Sequence, residues 1–78
     1  MYNIYISKNS QKFIEKQNEK IKSRIRQALL NIKENPKKHQ NIKSLKGKLS
    51  NYYRYRVGNI RIIYSIEDDE LLIYVVTI

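Results

Sequence analysis

The sequence predicts an α+β fold in which two N-terminal helices pack on one face of a small, mainly antiparallel sheet, in the order β-α-α-β-β-β. Three observations predict it. A short alternating stretch begins the chain, apolar residues then recur at helical spacing as far as Asn35-Pro36, and from Tyr52 onward the period becomes two. With 78 residues, the chain has the length of a single domain, which we assign to residues 1–78.

The first strand is predicted over Asn3–Ser7, where Ile4 and Ile6 share one face. A short helix that carries Phe13 and Ile14 follows this strand. The small polar residues that suit its N-terminal cap are Ser7, Asn9 and Ser10.

A second helix is predicted from Asn18, which suits a cap, to Asn35-Pro36. The residue before a proline is disfavoured in the helical region, so the helix should end there. Its apolar residues form one stripe: Ile21, Ile25, Ala28, Leu29 and Ile32.

The second half begins with a polar stretch, Lys37–Ser44, which we expect to be a loop, and Leu45–Leu49 is expected to be a turn or a short crossing segment. Three strands should follow as an antiparallel meander, over 52–57, 60–66 and 71–78. Gly58-Asn59 fits a two-residue hairpin turn, and the acidic run 67–70 fits the next turn. The face covered by the helices should hold Tyr53, Tyr55, Val57, Ile60, Ile62, Tyr64, Ile66, Leu71, Ile73 and Val75.

The first hairpin register gives the arginines a common face. With Gly58-Asn59 as the turn, Arg56 lies opposite Arg61 and Arg54 lies opposite Ile63, all away from the core. Like charges directly across a ladder destabilise a sheet, so we expect an external anion such as a phosphate to neutralise them. The alternative is that these arginines lie over an exposed sheet face and bind an acidic protein.

A second turn at Asp68-Asp69 would extend this face. It would place Ser65 opposite Leu72, Ile63 opposite Tyr74, Arg61 opposite Val76, and Ile78 beside Asn59. Arginines interleaved with tyrosines suit RNA, because bases stack on aromatic rings and on guanidinium planes. The candidate RNA-binding residues beside the arginines are Lys46, Lys48, Tyr52 and Tyr74.

Charge and composition limit the partners. Sixteen Lys and Arg against seven Asp and Glu give a net charge of +9, and no acid occurs between Pro36 and Ile66. This field attracts a polyanion: nucleic acid, an acidic membrane surface or an acidic protein. The alternative, which composition favours equally, is a solvated, lysine-rich surface that aids solubility. Without cysteine there are no disulfides or thiolate nucleophiles. His39 is expected to be an ordinary surface residue and the acidic run a hairpin tip, so we expect no metal and no cofactor. No apolar run reaches the ~20 residues of a membrane span, which favours a cytoplasmic protein.

The sequence resembles the RelE/ParE superfamily of toxins from type II toxin–antitoxin pairs. The resemblance is most specific at 45–49 (LKGKL), 53–64 (YRYRVGNIRIIY) and 68–71 (DDEL). It implies the RelE-like α+β fold and, for RelE-like members, ribosome-dependent cleavage of mRNA without a metal, which inhibits translation. Arg54, Arg56 and Arg61 match catalytic basic positions of the family, and their implied role is to hold the scissile phosphate and to stabilise the charge that builds up on it. The implied partners are the ribosome, mRNA and an acidic RelB-like antitoxin.

The resemblance is incomplete at the C-terminus. Family members usually continue with a basic pair and a tyrosine associated with acid–base catalysis, whereas this sequence stops at Ile78. Such groups contribute ~10²–10⁴-fold, so we expect a slow nuclease, or an inactive one that still binds. Two other functions remain open: a ParE-like inhibitor of DNA gyrase, and a degenerate toxin that only binds its antitoxin.

Overall fold

The computed structural model describes residues 2–45, 47 and 51–78. It confirms the predicted α+β class, with two helices against a five-stranded sheet. The elements are β1 (Asn3–Ile6), α1 (Lys8–Glu15), α2 (Glu19–Glu34), β2 (Ile42–Ser44), β3 (Tyr52–Val57), β4 (Ile60–Glu67), a 3₁₀ turn (Asp68–Glu70) and β5 (Leu72–Thr77). No helix in these described ranges is long and apolar enough to cross a membrane.

Both helices begin at a polar side chain that accepts a hydrogen bond from the first turn. The Ser7 hydroxyl accepts from the Ser10 amide at 3.2 Å, and the Asn18 side chain accepts from the Ile21 amide at 2.9 Å. Of the three residues suggested as caps for α1, Ser7 is therefore the one used. Helix α2 ends at Asn35, whose extended backbone precedes proline as predicted.

The strand order is β1-β5-β4-β3-β2. The predicted antiparallel meander of β3, β4 and β5 is confirmed, and β1 pairs with β5 in parallel. Parallel neighbouring strands cannot be joined by a short hairpin, so a long connection separates β1 from β5, and the two helices form its first part. The predicted loop over Lys37–Ser44 is wrong at its end, because Ile42–Ser44 forms the edge strand β2 against β3. Three residues are too few to show a period of two.

The core lies between α2 and the sheet. Its members are at most 4% exposed: Ile25, Ala28, Ile32, Tyr55, Ile62, Tyr64, Ile73 and Val75. The two buried phenols have polar partners, since the Tyr64 hydroxyl donates to the Pro36 carbonyl at 2.8 Å and the Tyr55 hydroxyl accepts from the Asn31 side chain at 2.9 Å. The predicted covered face is correct except at Leu71, which is 49% exposed.

The second turn explains this error and corrects the predicted register. In place of a two-residue turn at Asp68-Asp69, the chain makes a 3₁₀ turn and then Leu71 adopts a left-handed conformation, with φ of 50°. The longer turn moves β5 along β4.

Each predicted pair between these strands therefore changes. Ser65 pairs with Tyr74 instead of Leu72, and Ile63 pairs with Thr77 instead of Tyr74. The pairing ends there with an irregularity next to Ile63, so Arg61 does not lie opposite Val76 as predicted. The shift at Ser65 is an even number of residues, which leaves Tyr74 on the predicted face.

The 3₁₀ turn is anchored by Asp68. This carboxylate accepts hydrogen bonds from the Lys37 ammonium and from the Tyr2 hydroxyl, both at 2.7 Å. The hydrogen bond from Lys37, and to a smaller extent the one from Tyr2, lowers the pKa of Asp68 below its usual 3.8. The acidic run is a hairpin tip, as predicted, and one of its carboxylates joins it to the loop after α2.

Candidate nucleic-acid interface

The sheet face opposite the helices, here called the open face, presents its side chains in rows that the strand registers define. From the β3–β4 turn outward, the rows are Arg56–Arg61, then Lys43–Arg54–Ile63–Thr77, then Tyr52–Ser65–Tyr74–Tyr5, and finally Glu67–Leu72–Asn3. The open face is thus basic at the β3–β4 turn and aromatic in its middle.

The first row contains the opposed arginines. Arg56 pairs directly with Arg61 across β3 and β4, as the Gly58-Asn59 turn predicts, and both residues are exposed. Gly58 has φ of 58°, the left-handed conformation that a two-residue hairpin turn of this kind requires. Neighbouring strands lie ~4.8 Å apart, so the two cationic side chains start from adjacent positions.

The second row adds another pair of like charges. Arg54 lies opposite Ile63 on β4, as predicted, and opposite Lys43 on β2. Arg54 is half-buried, and its Nε is buried with no hydrogen-bond partner. A buried donor without a partner costs about 1–3 kcal/mol, so the basic rows carry an electrostatic and a desolvation cost.

No carboxylate offsets these charges in the described part of the chain. The ion pairs found there, Lys22–Glu19 at 4.0 Å and Lys37–Asp68 at 2.7 Å, do not include the arginines of the open face. The acidic residue of this face, Glu67, lies six residues from Arg61 along β4, about 20 Å away. The basic rows therefore have their positive charge uncompensated.

The predicted RNA-binding tyrosines lie in the third row. Tyr52 and Tyr74 both pair with Ser65, one from each side, and Tyr74 is 45% exposed. Tyr5 extends the row from β1, since it pairs with Tyr74 and is 60% exposed. The other two predicted RNA-binding residues, Lys46 and Lys48, lie outside the described residues, as does Leu49 of the predicted crossing segment.

Sequence reasoning missed Lys43 and Tyr5 as members of this surface. The sequence predicts a loop at Lys43, because β2 is only three residues long. The alternation of β1 does predict that Tyr5 points away from Ile4 and Ile6. It does not indicate that β1 pairs with β5, and this pairing is what brings Tyr5 beside Tyr74.

Two clefts flank the β3–β4 turn. One, of 290 Å³, lies between α2 and the end of β3, and Arg24 and Arg56 line it. The other, of 420 Å³, is lined by Arg61 and by apolar side chains that include Phe13 and Ile78. Asn59 lines the same cleft as Ile78, in agreement with the predicted proximity of the C-terminal residue to this turn.

His39 packs inside the fold more than predicted. It is half-buried, its ring centroid lies 5.0 Å from that of Tyr55, and its Nδ1 accepts from the Asn41 amide at 3.0 Å. These contacts give His39 a structural role beside the 290 Å³ cleft. Among the described residues, no group of three or more His, Cys, Asp or Glu side chains could hold a metal ion.

The fold is shared with solved toxins. The RelBE toxin–antitoxin complex of E. coli matches with a TM-score of 0.82 at 18% identity, covering 99% of this chain and 93% of that one. The archaeal RelE–RelB complex from Pyrococcus horikoshii OT3 gives 0.84 at 21% identity, over 97% and 90% of the chains. The YoeB/ParE toxin from Agrobacterium tumefaciens gives 0.83 at 18% identity, over 99% and 94%.

At these identities the likeness shows the fold alone. A search of the curated proteins gave no significant match. The family comparison is more specific, since the ParE toxin of type II toxin–antitoxin systems (parDE) matches residues 4–78. The chain belongs to the ParE toxin family and is a toxin of a type II toxin–antitoxin system.

Proposed function

We propose that this toxin is a ribosome-dependent mRNA endoribonuclease of the RelE type, which inhibits translation by cutting message. The observation that carries the proposal is the arrangement of Arg54, Arg56 and Arg61 in adjacent rows of one face, with no carboxylate partner in the described chain. Folding gains nothing from such an arrangement, whereas a phosphate diester would neutralise it.

The chemistry follows from the substrate and these side chains. The ribose 2′-hydroxyl gives its proton to water and attacks the adjacent phosphorus in line. The bond to the 5′-oxygen of the next nucleotide breaks and that oxygen takes a proton from water, so that a 2′,3′-cyclic phosphate and a 5′-hydroxyl result. The guanidinium groups hold the scissile phosphate and stabilise the negative charge that builds up on it. A guanidinium group has donors and no acceptor, so these residues do not take the 2′-hydroxyl proton. Their contribution is electrostatic, so we expect slow cleavage.

The partner that controls this surface is proposed to be an acidic antitoxin. The solved relatives include RelE bound to RelB and YoeB bound to YefM. A net charge of +9 and the exposed apolar side chains Leu30 and Leu71 suit wrapping by acidic amphipathic helices. The antitoxin should therefore bind less tightly as ionic strength rises.

The test is primer extension on a reporter message in a translating extract. Added toxin should produce cuts within codons, and these should require 70S ribosomes. Arg61→Ala should abolish the cuts, whereas Arg26→Ala, an exposed arginine on α2, should leave them unchanged. Intact message at complete translational arrest, or equal cleavage by Arg61→Ala, would refute the proposal.

A second candidate is inhibition of DNA gyrase, and the match to the ParE toxin family favours it. A gyrase inhibitor is a binding poison that performs no RNA chemistry. The same protein should be added to a supercoiling assay: loss of supercoiling with uncut message would support this function. If both assays are negative and the antitoxin still binds tightly, the chain acts only as the antitoxin's partner.

A further inference from the structure

Two exposed tyrosines occupy neighbouring strands at the same register on the open face. Tyr5 on β1 pairs with Tyr74 on β5, and they are 60% and 45% exposed. Among the described residues, the other large hydrophobic side chains that are similarly exposed, Leu30 and Leu71, lie on α2 and at the second turn. Within the described part of the open face, the two tyrosines are thus the large hydrophobic side chains with the greatest exposure.

These tyrosines have no evident structural task. In the described chain, the phenol groups of Tyr2, Tyr55 and Tyr64 make hydrogen bonds, whereas those of Tyr5 and Tyr74 make none. Neither ring belongs to the core cluster or to the side chains packed against it. Exposed aromatic rings beside a basic patch are the arrangement that binds single-stranded nucleic acid without sequence preference.

The spacing fits a short run of nucleotides. Adjacent strands are ~4.8 Å apart, so Tyr5 and Tyr74 begin about that far from each other, and Tyr52 begins about 10 Å beyond Tyr74. Arg54 lies one row and two strands from Tyr74, about 12 Å, and one row and three strands from Tyr5, about 16 Å. A strand with one phosphate on the arginines can therefore lay bases a few nucleotides away on the tyrosine row.

We propose that Tyr5 and Tyr74 form a stacking platform for the bases of single-stranded RNA that flank the phosphate held by the arginines. The proposal rests on the proposed function, and it assigns Tyr5 of β1 to substrate binding. Stacking tolerates every base, since each has a π face, so the platform contributes affinity and orientation with little base selectivity. The positive net charge favours RNA over an uncharged apolar occupant.

The experiment measures binding of a labelled 2′-O-methyl oligoribonucleotide, which lacks the attacking hydroxyl, and of the same backbone without bases. The wild type should prefer the strand that carries bases. Tyr5→Ala should weaken binding to that strand by roughly 5- to 150-fold and leave binding to the abasic strand unchanged. Tyr5→Phe retains the ring and should bind as the wild type does. Leu30→Ala, which removes an exposed side chain on α2, is the matched control and should have no effect.

The outcomes separate this inference from the function on which it rests. If Tyr5→Ala binds the base-bearing strand normally while Arg61→Ala loses affinity for both strands, the platform is wrong and the phosphate site stands. If the wild type binds neither strand, both the stacking platform and the phosphate site are wrong. If Tyr5→Ala weakens binding only to the acidic antitoxin, the row contacts protein and the stacking platform is overturned.

Discussion

Replacing Arg61 by glutamine should make the protein more stable and less toxic at the same time. Arg61 lies directly opposite Arg56, and both side chains are exposed. Cross-strand charge pairs contribute roughly 0.2–1 kcal/mol, with the unfavourable sign for like charges. Removing one charge should therefore raise the free energy of unfolding by about that amount. For a domain of this size, the corresponding rise in Tm is about 1–8 °C.

The assay is a double-mutant cycle with Arg56→Gln, Arg61→Gln and the double variant, measured by urea and by thermal unfolding. Either single change removes the repulsion, so the second should add little, and the cycle should return a repulsive coupling energy. The Debye length falls from ~10 Å at 0.1 M salt to ~3 Å at 1 M, so the advantage of the variants should shrink as salt is added. Arg26→Gln on α2 is the control for removing a charge elsewhere.

The result that refutes this reasoning is a coupling energy of zero or of the opposite sign. It would mean that the two guanidinium groups do not repel each other in the free protein, and that no external anion is needed to explain them. A gain in stability equal to that of Arg26→Gln would likewise show an effect of net charge alone.

Three further predictions concern the fold. Burial raises the pKa of Tyr64 far above 10, so stability should fall as the pH rises past 10. Tyr64→Phe should flatten that fall and cost about 1 kcal/mol at neutral pH, because the Pro36 carbonyl loses its donor; an unchanged alkaline profile would contradict this. Gly58→Ala should cost about 1 kcal/mol by urea unfolding, because φ is 58°; a variant as stable as the wild type would contradict the turn assignment. The hydrogen bond from Lys37 lowers the pKa of Asp68, so the carboxylate stabilises the fold above pH 3.8 and this stabilisation is lost as the pH falls below 3.8. Asp68→Asn should remove this loss of stability at acid pH. An Asp68→Asn variant whose free energy of unfolding falls at acid pH as steeply as that of the wild type would refute this prediction.

The sequence predicts the arginine hairpin correctly because the information is local. Gly58-Asn59 requires a two-residue turn, and a period of two on each side leaves one register for Arg56 and Arg61. The stripe of α2 is equally local, and Ile25, Ala28 and Ile32 are buried as it predicts. A turn that determines its own register carries enough information to place the candidate site.

The incorrect or missing parts depend on contacts distant in sequence. The register of β5 depends on how many residues the second turn uses, and a 3₁₀ turn that ends in left-handed Leu71 is not encoded by any glycine or proline. Tyr5 joins the surface because β1 pairs with β5, a strand from the opposite end of the sequence. Lys43 joins it because three residues form an edge strand only when β3 is beside them.

The central claim is that Arg54, Arg56 and Arg61 together bind one RNA phosphate, and NMR of the arginine Nε–Hε groups tests it directly. The protein should be titrated with a 2′-O-methyl oligoribonucleotide that contains a single phosphate diester. The three signals should shift together and yield one dissociation constant, which weakens as salt is added. Signals that shift with different dissociation constants, or a shift confined to one arginine, would contradict a shared phosphate site.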